Sequence, residues 1–288
     1  MWPSSLVQDI SARRAVIFFG AGVSMNSVAS DGVTKPKSWI GFLKEASKAI
    51  DPKIKKSIDK LIKENDLLTA CDVIRRKIGH TEFVELVKNE FQNPGFTPAT
   101  IHDLIWKLDV RITITPNFDN IYDSLVASRG SGTVSIKNYM DDDIADALRR
   151  HERVLIKSHG TVTSPNKLIF TRTDYAKARN THRDFYELLD SLLRTHTFLF
   201  IGCGLNDPDI RILLEDYCFR HQYAQDHYFV MASKQYSNEI LEVFQESLKI
   251  KILQYDHTPD HSNLGIRLEE LVNAVEQKRD EIGKNQTW

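Results

Sequence analysis

Short apolar runs separated by longer amphipathic segments form the pattern of this chain. The runs are rich in β-branched and aromatic residues and stop abruptly at glycine, proline or polar residues, as buried strands do. The predicted strands are residues 15–19, 110–115, 133–136, 153–157, 168–171, 197–201, 227–231 and 250–254. The segments between them carry the apolar spacing of helices. This alternation predicts an α/β fold, a Rossmann-like, doubly wound parallel sheet.

The stretch from about residue 30 to residue 98 interrupts this alternation. It contains helical patterns and no convincing strand, and it separates the first predicted strand from the second. Such a connection is far longer than an ordinary crossover. We therefore predict a single domain over residues 1–288, with an inserted helical module at about 30–98 that folds over the ligand crevice. The predicted helices of the module are residues 39–50, 52–63, 67–78 and 81–92.

Polar residues follow two of the predicted strands. Asn117 and Asp119 come after the strand at 110–115, and His159 comes after the strand at 153–157. The carboxyl ends of parallel strands meet at one edge of the sheet, where open α/β folds bind their ligands. An amide and a carboxylate two residues apart can bind a carboxamide or a ribose hydroxyl and can hold a water molecule. His159 can accept a proton there near pH 7, and a structural role is the alternative for it.

Two glycine turns follow the most apolar runs. Glycine lets backbone N–H groups approach a phosphate without obstruction by a Cβ atom, so the turns can together hold one dinucleotide. The candidate binding residues are Gly20, Ala21, Gly22 and Ser24 in the first turn and Gly202, Cys203 and Gly204 in the second. Met25 replaces the third glycine of Gly-x-Gly-x-x-Gly, and a plain chain reversal is the alternative at each turn. We interpret Cys203 as a packing residue and expect Asp207 to cap the next helix.

Charge and cysteine content narrow the class of protein. The 38 Lys and Arg residues nearly balance the 39 Asp and Glu residues, so no global basic field favours direct binding of nucleic acid. The three cysteines form no Cys-x-x-Cys pair, which indicates a reducing, cytoplasmic compartment and no zinc site. His221, His227, His257 and His261 are spaced too loosely for a metal site, and we expect them at the surface. No apolar run is long enough for a membrane span.

Four motifs at strand ends resemble those of the sirtuins and occur in the same order. Gly20-Ala-Gly-Val-Ser24 resembles their glycine motif, and Thr115-Pro-Asn-Phe-Asp119 resembles their Thr-x-Asn-x-Asp motif. Lys157-Ser-His-Gly160 resembles the His-Gly motif, and Phe200-Ile-Gly-Cys-Gly204 resembles the later glycine turn. The resemblance spans about residues 14–257. It implies a Rossmann-like fold that binds NAD.

The resemblance also implies a role for each motif. The two glycine turns and Thr115 would contact NAD, with the pyrophosphate held by backbone N–H groups of the turns. Asp119 would bind the nicotinamide carboxamide, and Asn117 would place a water molecule beside the ribose. His159 would act as the general base on that water or on the ribose hydroxyls.

The chain departs from the sirtuin deacylases after the first glycine turn. It lacks their Pro-Asp-Phe-Arg segment and their four-cysteine zinc module. It is similar instead to the bacterial sirtuin-like branch used in anti-phage defence, through Trp39 and the segments 168–175 and 205–209. Members of that branch hydrolyse NAD to ADP-ribose and nicotinamide and so deplete the infected cell. The resemblance therefore implies an NAD hydrolase that is the toxic effector of an abortive-infection system, and the residues themselves predict no metal ion.

Two other functions stay open at this point. A non-catalytic regulatory subunit that binds NAD or ADP-ribose would retain the same residues, and a sirtuin-type protein deacylase would need an acyl-lysine cleft. We expect the chain to form a homo-oligomer or to be controlled by a separate subunit, because its length leaves little room for a sensor domain. Such a subunit could be a nucleotide-processing enzyme, an ATPase or an argonaute-like protein.

Overall fold

A seven-stranded parallel sheet forms the centre of the computed structural model, which describes residues 2–285 except 206, 207, 222 and 259. The strands are β1 Ala15–Phe19, β2 Ile112–Thr115, β3 Val134–Asn138, β4 Arg153–Lys157, β5 Thr197–Ile201, β6 His227–Ala232 and β7 Ile250–Tyr255. They lie in the order β3-β4-β2-β1-β5-β6-β7, and every pair of neighbours is parallel. The α/β, Rossmann-like fold class predicted from the sequence is confirmed.

Helices connect these strands and cover both faces of the sheet. They are α1 Ser4–Ser11, α2 Ala21–Ser24, α3 Trp39–Ala46, α4 Pro52–Lys63, α5 Leu67–Ile78, α6 His80–Phe91, α7 Thr100–Lys107, α8 Ile121–Gly130, α9 Ile144–Arg149, α10 Arg172–Thr181, α11 Arg183–Thr195, α12 Pro208–Arg220, α13 Asn238–Leu248 and α14 Ser262–Asn285. None of the helices in the described part of the chain combines the length and the apolar character that crossing a bilayer requires.

The two faces of the sheet belong to different apolar cores. Alternate side chains of a strand point to opposite faces, so Val16 and Phe18 of β1 enter one core while Ile17 and Phe19 enter the other. The first core contains residues of α9 to α13, and the second contains residues of α1, α7, α8 and α14. Every residue of β1 is buried, as expected for a central strand that is covered on both faces.

Helices α3 to α6 surround a third core of their own. Its buried members include Phe42, Ile58, Ile74 and Phe83, and Phe170 joins them from outside the module. Local sequence signals set the helix bounds: Asp51 caps α4 ahead of a proline in its first turn, and Asp66 caps α5. The observed α4 and α5 coincide with the predicted helices at 52–63 and 67–78. The description of residues 30–98 as an inserted module stays a prediction about domain organisation.

The strand predicted at 168–171 is wrong. Residues 168–170 are extended, but they pair with no strand, and Ile169 N donates a single hydrogen bond to the carbonyl oxygen of His159 at 3.1 Å. Leu168 and Phe170 pack into the core of α3 to α6 instead of the sheet. Thr171 then caps α10 in a reciprocal capping box with Asp174.

The helix predicted to continue from this point to about residue 194 is two helices, α10 and α11, which are separated at His182. Two residues used in the sequence analysis lie outside the described residues. They are Asp207, the predicted helix cap, and Asn206, which belongs to the segment 205–209 that supported the resemblance.

Candidate active site

The turns that carry the four sequence motifs all begin two residues after one row of the sheet. In this row Phe18 of β1 lies opposite Ile114 of β2 and Phe200 of β5, and Ile114 lies opposite Ile156 of β4. Neighbouring strands run 4.7–4.9 Å apart in general, so this shared register delivers the motifs side by side. The turns begin at Gly20, Pro116, Ser158 and Gly202.

A cavity of about 560 Å³ lies at this edge of the sheet. It is located where β1 has β2 on one side and β5 on the other, which is the switch point of a doubly wound sheet and its usual ligand site. Its lining includes most of the predicted site residues. These are Gly20, Ala21, Gly22, Ser24, Asn117, Asp119, His159, Gly202, Cys203 and Gly204. A cavity of this volume is in the range that holds a cofactor or a small ligand.

Thr115 is the predicted binding residue that does not line the cavity. It is buried at the end of β2, where its Oγ1 donates to the carbonyl oxygen of Phe19 at 2.9 Å and accepts from Asn117 N at 3.1 Å. Thr115 thus ties β2 to β1 and shapes the turn that carries Asn117. Its side chain supports the turn, and its predicted contact with NAD stays a prediction.

Ser24 connects the two polar side chains of the Asn117 turn. Asn117 Nδ2 donates to Ser24 Oγ at 2.9 Å, and Ser24 Oγ donates to Asp119 Oδ2 at 2.8 Å. The other carboxylate oxygen of Asp119 accepts from Ile121 N at 3.0 Å, at the start of α8. Asn117 and Asp119 are each 8% exposed and still line the cavity. These bonds hold the amide and the carboxylate in fixed orientations before any ligand binds, as a preorganised site requires.

Lys157 lies beneath this turn and was not singled out as a site residue. Its side chain is 1% exposed, and its Nζ donates to the backbone carbonyl of Asp119 and pairs with Asp123 Oδ2 at 2.8 Å. Burial raises the pKa of the Asp123 carboxyl above its ordinary value, and the Lys157 cation opposes that rise. The signal in the sequence was a lysine at the end of an otherwise apolar strand. Such a residue is almost never buried unless it is paired.

His159 faces the cavity from the end of β4. Its ring meets the ring of Tyr175 edge-on, with 5.1 Å between centroids, and the Tyr175 hydroxyl lies 3.4 Å from His159 Nδ1. Tyr175 is itself buried in the first turn of α10 and lines the same cavity. The contact orients the imidazole of His159. Tyr175 belongs to the segment 168–175 that supported the resemblance, but no role was predicted for its side chain.

The two glycine turns pack directly against each other. Gly22 N donates to the carbonyl oxygen of Gly202 at 2.9 Å, and Gly20 N donates to the carbonyl oxygen of Ile201 at 2.9 Å. A Cβ atom on Gly20 would lie 2.8 Å from Gly202 O, and Gly202 has a φ of +62°. Glycine is required here for contact between the turns. The N–H groups of Gly20 and Gly22 are used in that contact, whereas the sequence interpretation assigned them to a pyrophosphate.

Aromatic side chains form a further part of the cavity wall. Trp39 and Phe42 of α3 and Phe91 of α6 meet Phe118 and Phe170 there. Phe118 lies 4.6 Å from Phe170 and 4.8 Å from Phe91 between ring centroids, and Phe42 lies 5.5 Å from Phe170. The cavity therefore combines the polar edge of the sheet with an apolar, aromatic surface that comes largely from the helices between residues 30 and 98. Periodicity alone predicted Trp39, Phe42 and Phe91 only as parts of helices.

Within the described ranges, no group of three or more His, Cys, Asp or Glu side chains is arranged to hold a metal ion. One of the histidines expected at the surface is buried. His227 lies at the start of β6, where its Nδ1 accepts from Phe198 N at 3.2 Å and its ring contacts that of Tyr217 at 4.7 Å. Burial lowers the pKa of His227 to about 3. Its surface assignment was wrong because it starts a central strand that is covered on both faces.

An open parallel sheet with a cavity beside two glycine turns at its switch point defines an α/β protein of the Rossmann-like class. Residues 111–253 match the model of the SIR2-like domain family. This match covers β2 to β7, including the Asn117, His159 and Gly202 motifs. The predicted resemblance to the sirtuins is confirmed, and residues 111–253 belong to the SIR2-like domain family.

Several curated proteins are similar to most of this chain. The NAD(+) hydrolase ThsA of Acinetobacter baumannii is 22% identical over 239 residues, which are 81% of this chain and 46% of ThsA. The ThsA of Cytobacillus dafuensis is 26% identical over 201 residues, which are 69% of this chain and 37% of that protein. Defense-associated sirtuin 2 of Bacillus subtilis is 26% identical over 219 residues, or 71% of this chain and 21% of that protein. The chain spans less than half the length of these relatives.

Proposed function

We propose that this chain is an NAD glycohydrolase that cleaves the bond between nicotinamide and ribose and releases nicotinamide and ADP-ribose. We propose further that it acts in the bacterial cytoplasm as the toxic effector of an anti-phage, abortive-infection system. The similarity to proteins named NAD(+) hydrolase and defense-associated sirtuin supports this assignment. The carrying observation is that Asn117, Asp119 and His159 converge on one cavity at the switch point of the sheet.

Each polar side chain has a role that its contacts support. Asn117, whose amide is fixed by Ser24, positions the attacking water beside the ribose. Asp119 retains lone pairs on its carboxylate beyond the two hydrogen bonds it accepts, and these bind the carboxamide N–H₂ of nicotinamide. His159, oriented by Tyr175, takes the proton of the water or of a ribose hydroxyl.

The aromatic wall explains how the leaving group is held. Nicotinamide is a flat ring with one polar substituent, and the cavity offers the rings of Phe118 and Phe170 together with the Asp119 carboxylate. Aromatic rings stack in offset or edge-on arrangements that contribute about 0.5–1.5 kcal/mol beyond the area they bury. As the bond to ribose breaks, positive charge develops on the ribose. Oriented polar groups in a cavity shielded from water stabilise that charge.

The test follows nicotinamide and ADP-ribose by chromatography after incubation of the purified chain with NAD. Asn117→Ala and His159→Ala should each lower turnover about a hundredfold or more, the usual effect of losing a general base or its water-positioning partner. His80→Ala is the matched control, because this histidine is exposed on α6 and does not line the cavity. All three variants should keep the wild-type melting temperature within a few degrees.

The outcomes separate the candidate functions. Release of both products that persists in His159→Ala would refute the catalytic assignment. Tight binding of NAD or ADP-ribose without turnover would support the non-catalytic, NAD-binding subunit instead. Control by self-assembly or by a separate subunit stays a prediction. Light-scattering mass measured beside NAD turnover, with and without co-expressed neighbouring proteins, checks it.

A further inference from the structure

A second cavity reaches His159 from the other side. It has a volume of about 340 Å³ and lies between helices α10 to α12 and the sheet. Among the described residues, His159 and Ile210 line both this cavity and the larger one. His159 thus stands in the partition between two compartments. The larger compartment carries the glycine turns, Asn117 and Asp119, and the second compartment carries none of them.

The lining of the second cavity is apolar inside and polar near His159. Phe18 and Phe200 of the sheet, Phe185 and Leu189 of α11 and Leu213 of α12 supply its apolar surface. The neighbour of His159 supplies a polar group, because Ser158 Oγ is buried and has no hydrogen-bond partner. A buried hydroxyl without a partner costs free energy that a bound hydroxyl or water can recover.

The charged residues around this cavity balance in sign. Its lining contains the guanidinium groups of three arginines and the carboxylates of three acidic residues, namely Arg179, Arg183, Arg220, Glu187, Asp190 and Asp216. Arg220 lies 3.4 Å from Asp216, so part of this charge is paired within the lining. The described lining residues therefore carry no net charge, and such a surface does not select an anion or a cation. Together with the apolar interior, it fits a neutral molecule that bears a hydroxyl group.

We propose that the second cavity is the compartment through which the nucleophile reaches His159, and that it admits small neutral alcohols as well as water. This inference rests on the proposed NAD glycohydrolase function. The chain would then transfer ADP-ribose to an alcohol. The alcohol oxygen bonds to C1′ of the nicotinamide ribose while the C1′–N bond breaks. The electron pair of the C1′–N bond leaves with nicotinamide, which departs as a neutral molecule. The alcohol proton passes to the His159 imidazole, so no oxidant or reductant is needed.

The test measures the products formed from NAD in the presence of methanol or n-propanol, with the alkyl ADP-ribose and ADP-ribose separated by chromatography. The wild-type chain should form both alkyl products. Leu213→Trp narrows the second cavity without touching the first, so it should lower the n-propanol product relative to the methanol product about tenfold or more, as expected for a filled apolar pocket. It should also lower kcat for hydrolysis while KM for NAD stays unchanged.

Two further variants keep the test decisive. Arg211→Trp places the same side chain two positions away on α12, at an exposed residue outside both cavities, and should keep the wild-type product ratio. Leu213→Ala widens the cavity and should raise the share of n-propanol product, which provides a readout if Leu213→Trp does not fold. Nicotinamide release with ADP-ribose as the sole product, or ratios unaffected by both Leu213 variants, would overturn this inference alone. Absence of nicotinamide release by the wild type would overturn the proposed function as well.

Discussion

The buried pair of Lys157 and Asp123 offers a sharp test of how the active-site turn is held. Lys157→Met removes the cation but keeps a flexible side chain of similar length. Asp123, whose side chain is 17% exposed, then loses its partner, and the carbonyl of Asp119 loses a donor. Breaking a buried ion pair by removing one member typically costs about 3–5 kcal/mol. For a chain of this size that corresponds to a fall in Tm of roughly 5–15 °C.

The predicted loss depends on pH in a defined direction. The folded-state pKa of Asp123 is raised by burial above its ordinary value of 3.8, so ionised Asp123 costs stability above the folded pKa, and that cost disappears as pH falls towards 3.8. Without Lys157 the pKa of Asp123 rises further, because the cation that opposed the rise is gone. The Tm difference between wild type and Lys157→Met should therefore be larger at about pH 8 than at about pH 5.

Differential scanning calorimetry across this pH range measures the effect. Lys137→Met is the matched control, because Lys137 pairs with the exposed Asp143 at 2.6 Å and such a surface pair contributes about 1 kcal/mol or less. Combining Lys157→Met with Asp123→Asn should recover part of the lost stability, since no unpaired charge remains. An equal Tm loss at both pH values, with no recovery in the double variant, would refute the assignment of Lys157 as the counter-charge.

Two other changes test parts of the site and of the sheet. Ser24→Ala removes both hydrogen bonds that join Asn117 to Asp119, so kcat for NAD hydrolysis should fall about tenfold or more. Ser27→Ala, which removes a buried hydroxyl without a partner, should leave kcat unchanged, and equal rates in the two variants would contradict the role of Ser24. The folded-state pKa of His227 is lowered from 6.5 to about 3, so wild-type stability should fall by roughly 4–5 kcal/mol as pH drops from 6.5 to 3. His227→Gln should flatten this dependence in denaturant titrations at several pH values, and an unchanged slope would show that other groups cause it.

Much of the fold could be predicted because its signals are local. β1, β4 and β5 are short strands with apolar central residues, each followed by glycine or a polar residue, and their observed bounds equal the predicted ones. Helices α4 and α5 were also placed correctly, since an aspartate cap stands at the start of each. The error at 168–171 has the opposite cause. An apolar run shows that a segment is buried, but its pairing depends on whether another strand lies beside it.

The sequence indicated the motif residues of the candidate site but not the residues that surround them and hold them in place. Trp39 and Phe42 follow the spacing of an ordinary helix, and no local signal shows that they face Asp119 across a cavity. Lys157 and Tyr175 act through partners 34 and 16 residues away in the sequence, respectively. Such contacts depend on the strand order and on the packing of α8 and α10, and neither follows from the residues of one segment.

The shared register of the central strands explains why short motifs identify this chain while its identity to curated relatives is only 22–26%. The row through Phe18, Ile114, Ile156 and Phe200 requires apolar side chains that fill the core, and such side chains can be exchanged at modest cost when volume is kept. The residues two positions further on have no such freedom. Inserting or deleting one residue between the row and a motif would shift that motif relative to the other three and turn its side chains to the other face. The spacing from strand end to motif is therefore the most constrained feature of the site.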